Sequence, residues 1–233
     1  MASTVAPTRA YIAEFIGTFT LVFVGTAVAV LQGLNKWDVG ANFIGIAFAF
    51  GGTLAVLVWT IGPVSGCHLN PAVSLPMALS GRLPMARLLG YMIAQFAGAA
   101  TASAVLLFLL KGIPAYAASP EQGLGANGNP LNMDVSSLLG FEVLMTALFL
   151  LTIFTVTRKG AEAGFHGLAI GGFLFVAHLV GAQLGDSSLN PARSFGPAIL
   201  EGGGATKILW VFIVGPLVGG LIGWRLFKLM HDE

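Results

Sequence analysis

The tripeptide Asn-Pro-Ala occurs twice, as Asn70-Pro71-Ala72 and Asn190-Pro191-Ala192, 120 residues apart and each inside a Gly-rich break in an otherwise apolar chain. A single copy is explained by helix capping, because Asn is a favoured N-cap and Pro suits the first helical position. Two copies at half-chain spacing, both flanked by membrane-length segments, point instead to a duplicated pore-forming unit. Six apolar stretches, 11–31, 42–61, 88–110, 138–156, 166–183 and 208–230, approach the roughly 20 residues needed to cross a bilayer. The motif-bearing segments 63–80 and 185–200 are too short to span and too apolar for surface loops. Irregular backbone at membrane depth is tolerated only where protein buries it or a wet cavity satisfies it. Both segments therefore read as re-entrant half-helices that enter and return on one side.

The expected fold is all-α: six transmembrane helices and two half-helices in a single channel domain, 1–233. The first repeat covers 9–111, a Pro-containing polar loop covers 112–136, and the second repeat covers 137–230. Glu14-Phe15-Ile16-Gly17-Thr18 and Glu142-Val143-Leu144-Met145-Thr146 give both halves the same Glu-x-x-x-Thr on their first helix. With an odd number of spans in each half, the second copy sits upside down relative to the first, a plan that puts a site at the bilayer midplane.

Only 9% of the residues are charged, against roughly 25% in soluble domains, so the chain cannot cover a water-facing surface. Its 32 glycines lie among Ala, Ser and Thr inside the apolar runs, as where membrane helices pack backbone to backbone. A net charge of +1 without a basic run gives no reason to expect nucleic acid as a partner. The sole cysteine, Cys67, cannot form an intrachain disulfide, and no cluster suggests a metal or other cofactor. No Ser/His/Asp arrangement or phosphate-binding loop points to an enzyme. The first apolar run is long enough to span and is expected to be retained as the first helix. Arg9, Arg82, Arg87, Arg158, Lys159, Arg225 and Lys228 fall on the side of the termini, against Lys36, Lys111 and Lys207 opposite. That bias puts both termini in the cytoplasm. Short loops and the lack of a long tail suggest a prokaryotic inner membrane.

Ionisable residues at membrane depth cost roughly 2.5–3.5 kcal/mol on insertion scales, which makes Glu14, Glu142 and Arg193 the charges to explain. The glutamates read as braces that accept from backbone N–H groups of the irregular loops; a proton relay is the other reading, but no partner is spaced to continue it. The half-helix N-termini, each carrying roughly +0.5 charge, would meet near the midplane and repel cations. Asn70 and Asn190 would then hold the oxygen of a passing neutral molecule. A water gripped by both amides cannot accept from its neighbours there, so proton hopping is interrupted while water passes. Pro71 and Pro191 fit the first helical turn, and Ala72 and Ala192 are small enough for the two turns to abut.

The chain resembles the major intrinsic protein, or aquaporin, family over nearly its whole length. The resemblance rests on Ala13-Glu14-Phe15-Ile16-Gly17-Thr18, on Ser65-Gly66-Cys67-His68-Leu69-Asn70-Pro71-Ala72-Val73, and on Ser188-Leu189-Asn190-Pro191-Ala192-Arg193-Ser194-Phe195-Gly196-Pro197. It implies a homotetramer in the lipid bilayer with one pore per subunit, passing water or small uncharged solutes passively and without a cofactor. It also implies a four-residue filter at Phe50, His178, Ser187 and Arg193, resembling the water-selective branch, and a loop-shaping role for His68. The glycerol branch usually replaces the His and carries Asp where this chain has Ser194; Ser187 departs from the Thr or Cys common in the water branch. Taken alone, Phe50 and His178 read equally well as packing and as a satisfied core group. Cys67 is by default a core thiol, and its place beside the loop makes it a candidate for mercurial block. Three alternatives to a water channel stay open here: a facilitator of glycerol or another small neutral solute, a structural membrane protein with a non-conducting pore, and a secondary transporter.

Overall fold

Long runs of Leu, Val, Ile, Phe and Ala leave the backbone few ways to satisfy its polar groups in lipid, and the helix is the local one. The computed structural model describes residues 5–35, 39–119, 123–161, 164–184 and 187–231. Lys36 and position 185, the first residue of the second motif-bearing segment, lie outside them. The described residues form α1 (Pro7–Asn35), α2 (Val39–Thr60), α3 (Gly62–Ser65), α4 (Pro71–Leu79), α5 (Met85–Leu110), α6 (Pro114–Ala117), α7 (Val135–Val156), α8 (His166–Leu184), α9 (Pro191–Glu201), α10 (Gly203–Ile208) and α11 (Val211–Met230), with no strand among them.

Among the described residues, five spans are long and apolar enough to cross a membrane: α1, α2, α5, α7 and the run of α10 with α11. The sixth expected span, α8, is shorter at 19 residues; at 1.5 Å per residue it is about 28 Å long, close to the hydrocarbon thickness. Phe48, Leu89, Ile93 and Phe108 point outward and stay exposed. So much outward apolar surface suits lipid and not water.

Packing follows the small residues. The helix α1 lies against α5, α7 against α11, and α2 against α8. At the α2–α8 crossing, a methyl on Gly51 would run into the carbonyl of Gly171, and one on Gly171 into the carbonyl of Gly51. Only paired glycines permit that approach. The half-helices cross over: α4 packs on α11, where Gly220 meets the Ala72 carbonyl, and α9 packs on α5, where Gly196 meets the Ala99 carbonyl. Each half of the chain therefore builds part of its core from the other.

Both ends are tied. Tyr11 meets Tyr91 edge to face with ring centroids 6.0 Å apart, joining the starts of α1 and α5. Arg82, just beyond α4, donates to the Phe154 carbonyl and to Thr157 Oγ1 while lying over the Phe154 and Phe227 rings. Those contacts hold the end of α4 to the ends of α7 and α11. Within the segment 112–136, read above as a connecting loop, residues 114–117 form α6 and residues 123–127 bury Leu124 and Asn127.

Candidate functional site

Half-helices α4 and α9 begin where Asn70 and Asn190, both extended, act as N-caps and Pro71 and Pro191 open the first turn. Asn70 Oδ1 accepts from Ala72 N at 2.8 Å; Asn190 Oδ1 accepts from Ala192 N at 3.0 Å and Arg193 N at 3.3 Å. With each oxygen committed to its own helix, each amide nitrogen must face away from it. Asn70 Nδ2 donates to the Leu189 carbonyl at 2.7 Å, and Asn190 Nδ2 donates to the Leu69 carbonyl at 2.9 Å. The two loops thus exchange one hydrogen bond in each direction. Each amide keeps a second N–H hydrogen beyond that bond. Ala72 and Ala192 are fully buried where the helices start.

The carbonyls that receive these bonds belong to Leu69 and Leu189, at φ of 52° and 58°. Left-handed backbone costs a non-glycine residue about 1–3 kcal/mol and persists only where its surroundings enforce it. Buried glutamates supply that enforcement. Glu14 Oε1 accepts from Ser65 Oγ at 2.6 Å and His68 N at 2.9 Å, and Oε2 from Leu69 N and Gln95 Nε2 at 2.7 Å each. Glu142 accepts from Ser188 N at 2.8 Å and Leu189 N at 2.9 Å. Charge-assisted bonds to backbone are among the strongest available. His68 packs on Tyr91 and its Nδ1 meets Ser74 Oγ at 3.1 Å, while Tyr91 OH donates to the Ser65 carbonyl.

A cavity of about 970 Å³ runs past these groups. Cys67, His68, Asn70 and Asn190 line it, and so do Phe50, His178 and Arg193. Phe50 and His178 stack with ring centroids 4.5 Å apart, and the Arg193 guanidinium lies 4.8 Å over the Phe50 ring. His178 Nδ1 bonds the Leu174 carbonyl at 2.9 Å. Since a carbonyl only accepts, Nδ1 carries the proton; in the neutral ring Nε2 is then an acceptor, and it has no protein partner among the described residues. Ser187 is buried and is not among the cavity-lining residues; its carbonyl accepts from Asn127 Nδ2 at 3.1 Å.

Residues 1–227 match the family model described as Major intrinsic protein. The chain belongs to the major intrinsic protein family. It is accordingly a membrane channel and not an enzyme. This major intrinsic protein is 40% identical over 230 residues to Aquaporin Z of Rhodopseudomonas palustris, covering 97% of this chain and 95% of that one. It is 39% identical over 229 residues to Aquaporin Z of Bradyrhizobium diazoefficiens, covering 97% and 94%. Among solved structures, the aquaglyceroporin from Plasmodium falciparum superposes with a TM-score of 0.82 at 22% identity, over 96% of both chains. That last likeness establishes the fold alone.

Two site residues of this major intrinsic protein escape the sequence reading. Gln95 joins Glu14 to Ser74 Oγ, the latter at 2.8 Å, and Asn127 bonds the Arg193 region from the connecting segment. Gln95 could have been found as a lone amide in the apolar stretch 88–110. Asn127 sits among Gly125, Ala126 and Gly128 in a segment whose composition reads as loop, and carries no comparable signal.

Proposed function

We propose that this channel passes water in single file down its gradient and excludes protons and ions. Asn70 and Asn190 form the central constriction, Phe50, His178, Ser187 and Arg193 the filter, and Glu14, Glu142, His68, Pro71, Ala72, Pro191 and Ala192 support the pore loops. The observation that carries this reading is the Phe50–His178–Arg193 stack on the cavity wall. Arg193 offers donors and His178 Nε2 an acceptor, matching a molecule that is both. The two stacked rings occupy this wall of the cavity and so work against entry of a bulkier carbon chain. Two helix N-termini and one fixed guanidinium in the same cavity oppose cations. The likeness to the two Aquaporin Z relatives favours the same reading.

The assembly that accompanies it is a homotetramer with one pore per subunit, built from inverted repeats 9–111 and 137–230, in the inner membrane with both termini in the cytoplasm. Stopped-flow light scattering on proteoliposomes tests the permeant. The wild type should shrink rapidly under an impermeant osmolyte without re-swelling under glycerol, and His178→Gly should admit glycerol. Rapid glycerol entry in the wild type would assign the protein to the glycerol facilitators, and absence of any flux would favour a non-conducting structural role.

A further inference from the structure

We propose that Asn127, in the segment joining the two halves, is a positioning residue that holds the filter at its working width. This rests on the filter reading above and adds to it a residue outside the pore wall. Asn127 is 2% exposed. Its Oδ1 accepts from Arg193 Nη1 at 2.8 Å and from Ser194 Oγ at 2.7 Å, while its Nδ2 donates to the Ser187 carbonyl at 3.1 Å. One carboxamide therefore bonds three residues around the start of α9: Ser187, three positions before the Asn190 cap, the filter cation Arg193, and Ser194 after it. The Gly125 carbonyl accepts the other Nη1 hydrogen at 2.9 Å. Both hydrogens of that nitrogen are then committed to the strap, and the guanidinium is held against Phe50.

Hydrogen-bond polarity makes Asn127 and Ser194 a matched pair. A carboxamide oxygen can only accept, so Ser194 must donate to it. Ser188 Oγ, which also contacts Ser194 Oγ, is left to act as donor to Ser194 or to the Asn190 carbonyl. The chain of hydroxyls thus runs from the strap to the cap of α9. An acidic side chain at position 194 would set acceptor against acceptor and break it. The strap is itself anchored: Glu201, at the far end of α9, accepts from Leu124 N at 2.7 Å, and Tyr116 OH donates to the Gly123 carbonyl at 2.9 Å. Gly125, at φ 71°, lies against Thr26, where a side chain would crowd α1. Asn127 is accordingly presented from a backbone tied at both ends of one half-helix.

The test compares glycerol and water permeability of Asn127→Ala, Asn127→Asp, Ser194→Ala and the double Asn127→Ala/Ser194→Ala with wild type and His178→Gly in proteoliposomes. Water flux in each variant reports a folded, open pore. Asn127→Ala should raise glycerol entry on the order of tenfold, as loss of a buried bond to a charged group frees the guanidinium. Asn127→Asp keeps the acceptor and should restore exclusion. Ser194→Ala should leak less than Asn127→Ala, and the double variant no more than Asn127→Ala, because the pair acts as one unit. Exclusion of glycerol by water-conducting Asn127→Ala, while His178→Gly admits it, overturns the proposal and leaves the filter reading standing. If His178→Gly also excludes glycerol, the filter reading itself fails. If Asn127→Ala yields no folded channel, Asn127→Asp and Ser194→Ala decide: a leak confined to Ser194→Ala supports the proposal, and exclusion by both overturns it.

Discussion

Four donors converge on the two oxygens of Glu14, and no neutral side chain of that shape can accept from all of them. Glu14→Gln replaces one oxygen by an amide nitrogen that must face either Leu69 N and Gln95 Nε2 or Ser65 Oγ and His68 N. With buried groups left unsatisfied, it should destabilise the fold by about 2 kcal/mol or more. The check is a lower midpoint for thermal unfolding of the detergent-solubilised protein and a smaller fraction of conducting channels. At this scale the sequence is legible where a residue is expensive in its setting. Glu14, Glu142 and Arg193 stand out as charges in apolar stretches, and Asn70 and Asn190 as caps beside Pro. Phe50 and His178 do not, since an aromatic or a lone His in a helix reads equally well as packing. Gln95 and Asn127 are undistinguished until folding sets them beside Glu14 and Arg193, 81 and 66 positions away.

Helices follow from apolar length and capping chemistry, and so α4 and α9 start at the first prolines of their motifs. The connections carry weaker signals: α6 and the strap at 123–127, which buries Leu124 and Asn127, sit in a segment whose Pro and polar content reads as linker. Small residues in the apolar runs predict close helix packing, but which glycine meets which depends on the crossing. Gly51 and Gly171 meet between α2 and α8, on the same two helices that present Phe50 and His178 to each other. Gly171→Val should therefore do more than lower stability by the roughly 1–3 kcal/mol typical of overpacking. Pushing α2 from α8 should part the Phe50–His178 stack and admit glycerol. Thermal unfolding and glycerol re-swelling read the two effects separately, whereas a substitution on the lipid face of α5, such as Ile93→Val, should alter neither.

For the whole molecule, the charge bias of the sequence and the packing in space bear on one orientation. Arg82 is fastened to the ends of α7 and α11, so the loop after α4, Arg158 and Lys228 share one end of the bundle. Cys67 is buried and the sole cysteine, which makes a Cys67→Ala background suited to labelling exposed sites. A membrane-impermeant maleimide applied to intact cells should label Lys207→Cys and leave Lys228→Cys unreacted until the membrane is opened. Labelling of Lys228→Cys alone would invert the proposed topology.

The amino-acid sequence by itself determined the membrane-length spans, the two broken segments and where their half-helices start. These properties depend on hydrophobic length, N-cap chemistry and proline, all of which act within a few residues. Only the tertiary structure decided how the site is aimed. The Asn70 amide is turned by the Leu189 carbonyl, the Asn190 amide by the Leu69 carbonyl, and Arg193 by Asn127. A directional hydrogen bond needs its partner within about 3 Å, and for these donors that distance is set by how two separate parts of the chain pack, which no local pattern encodes.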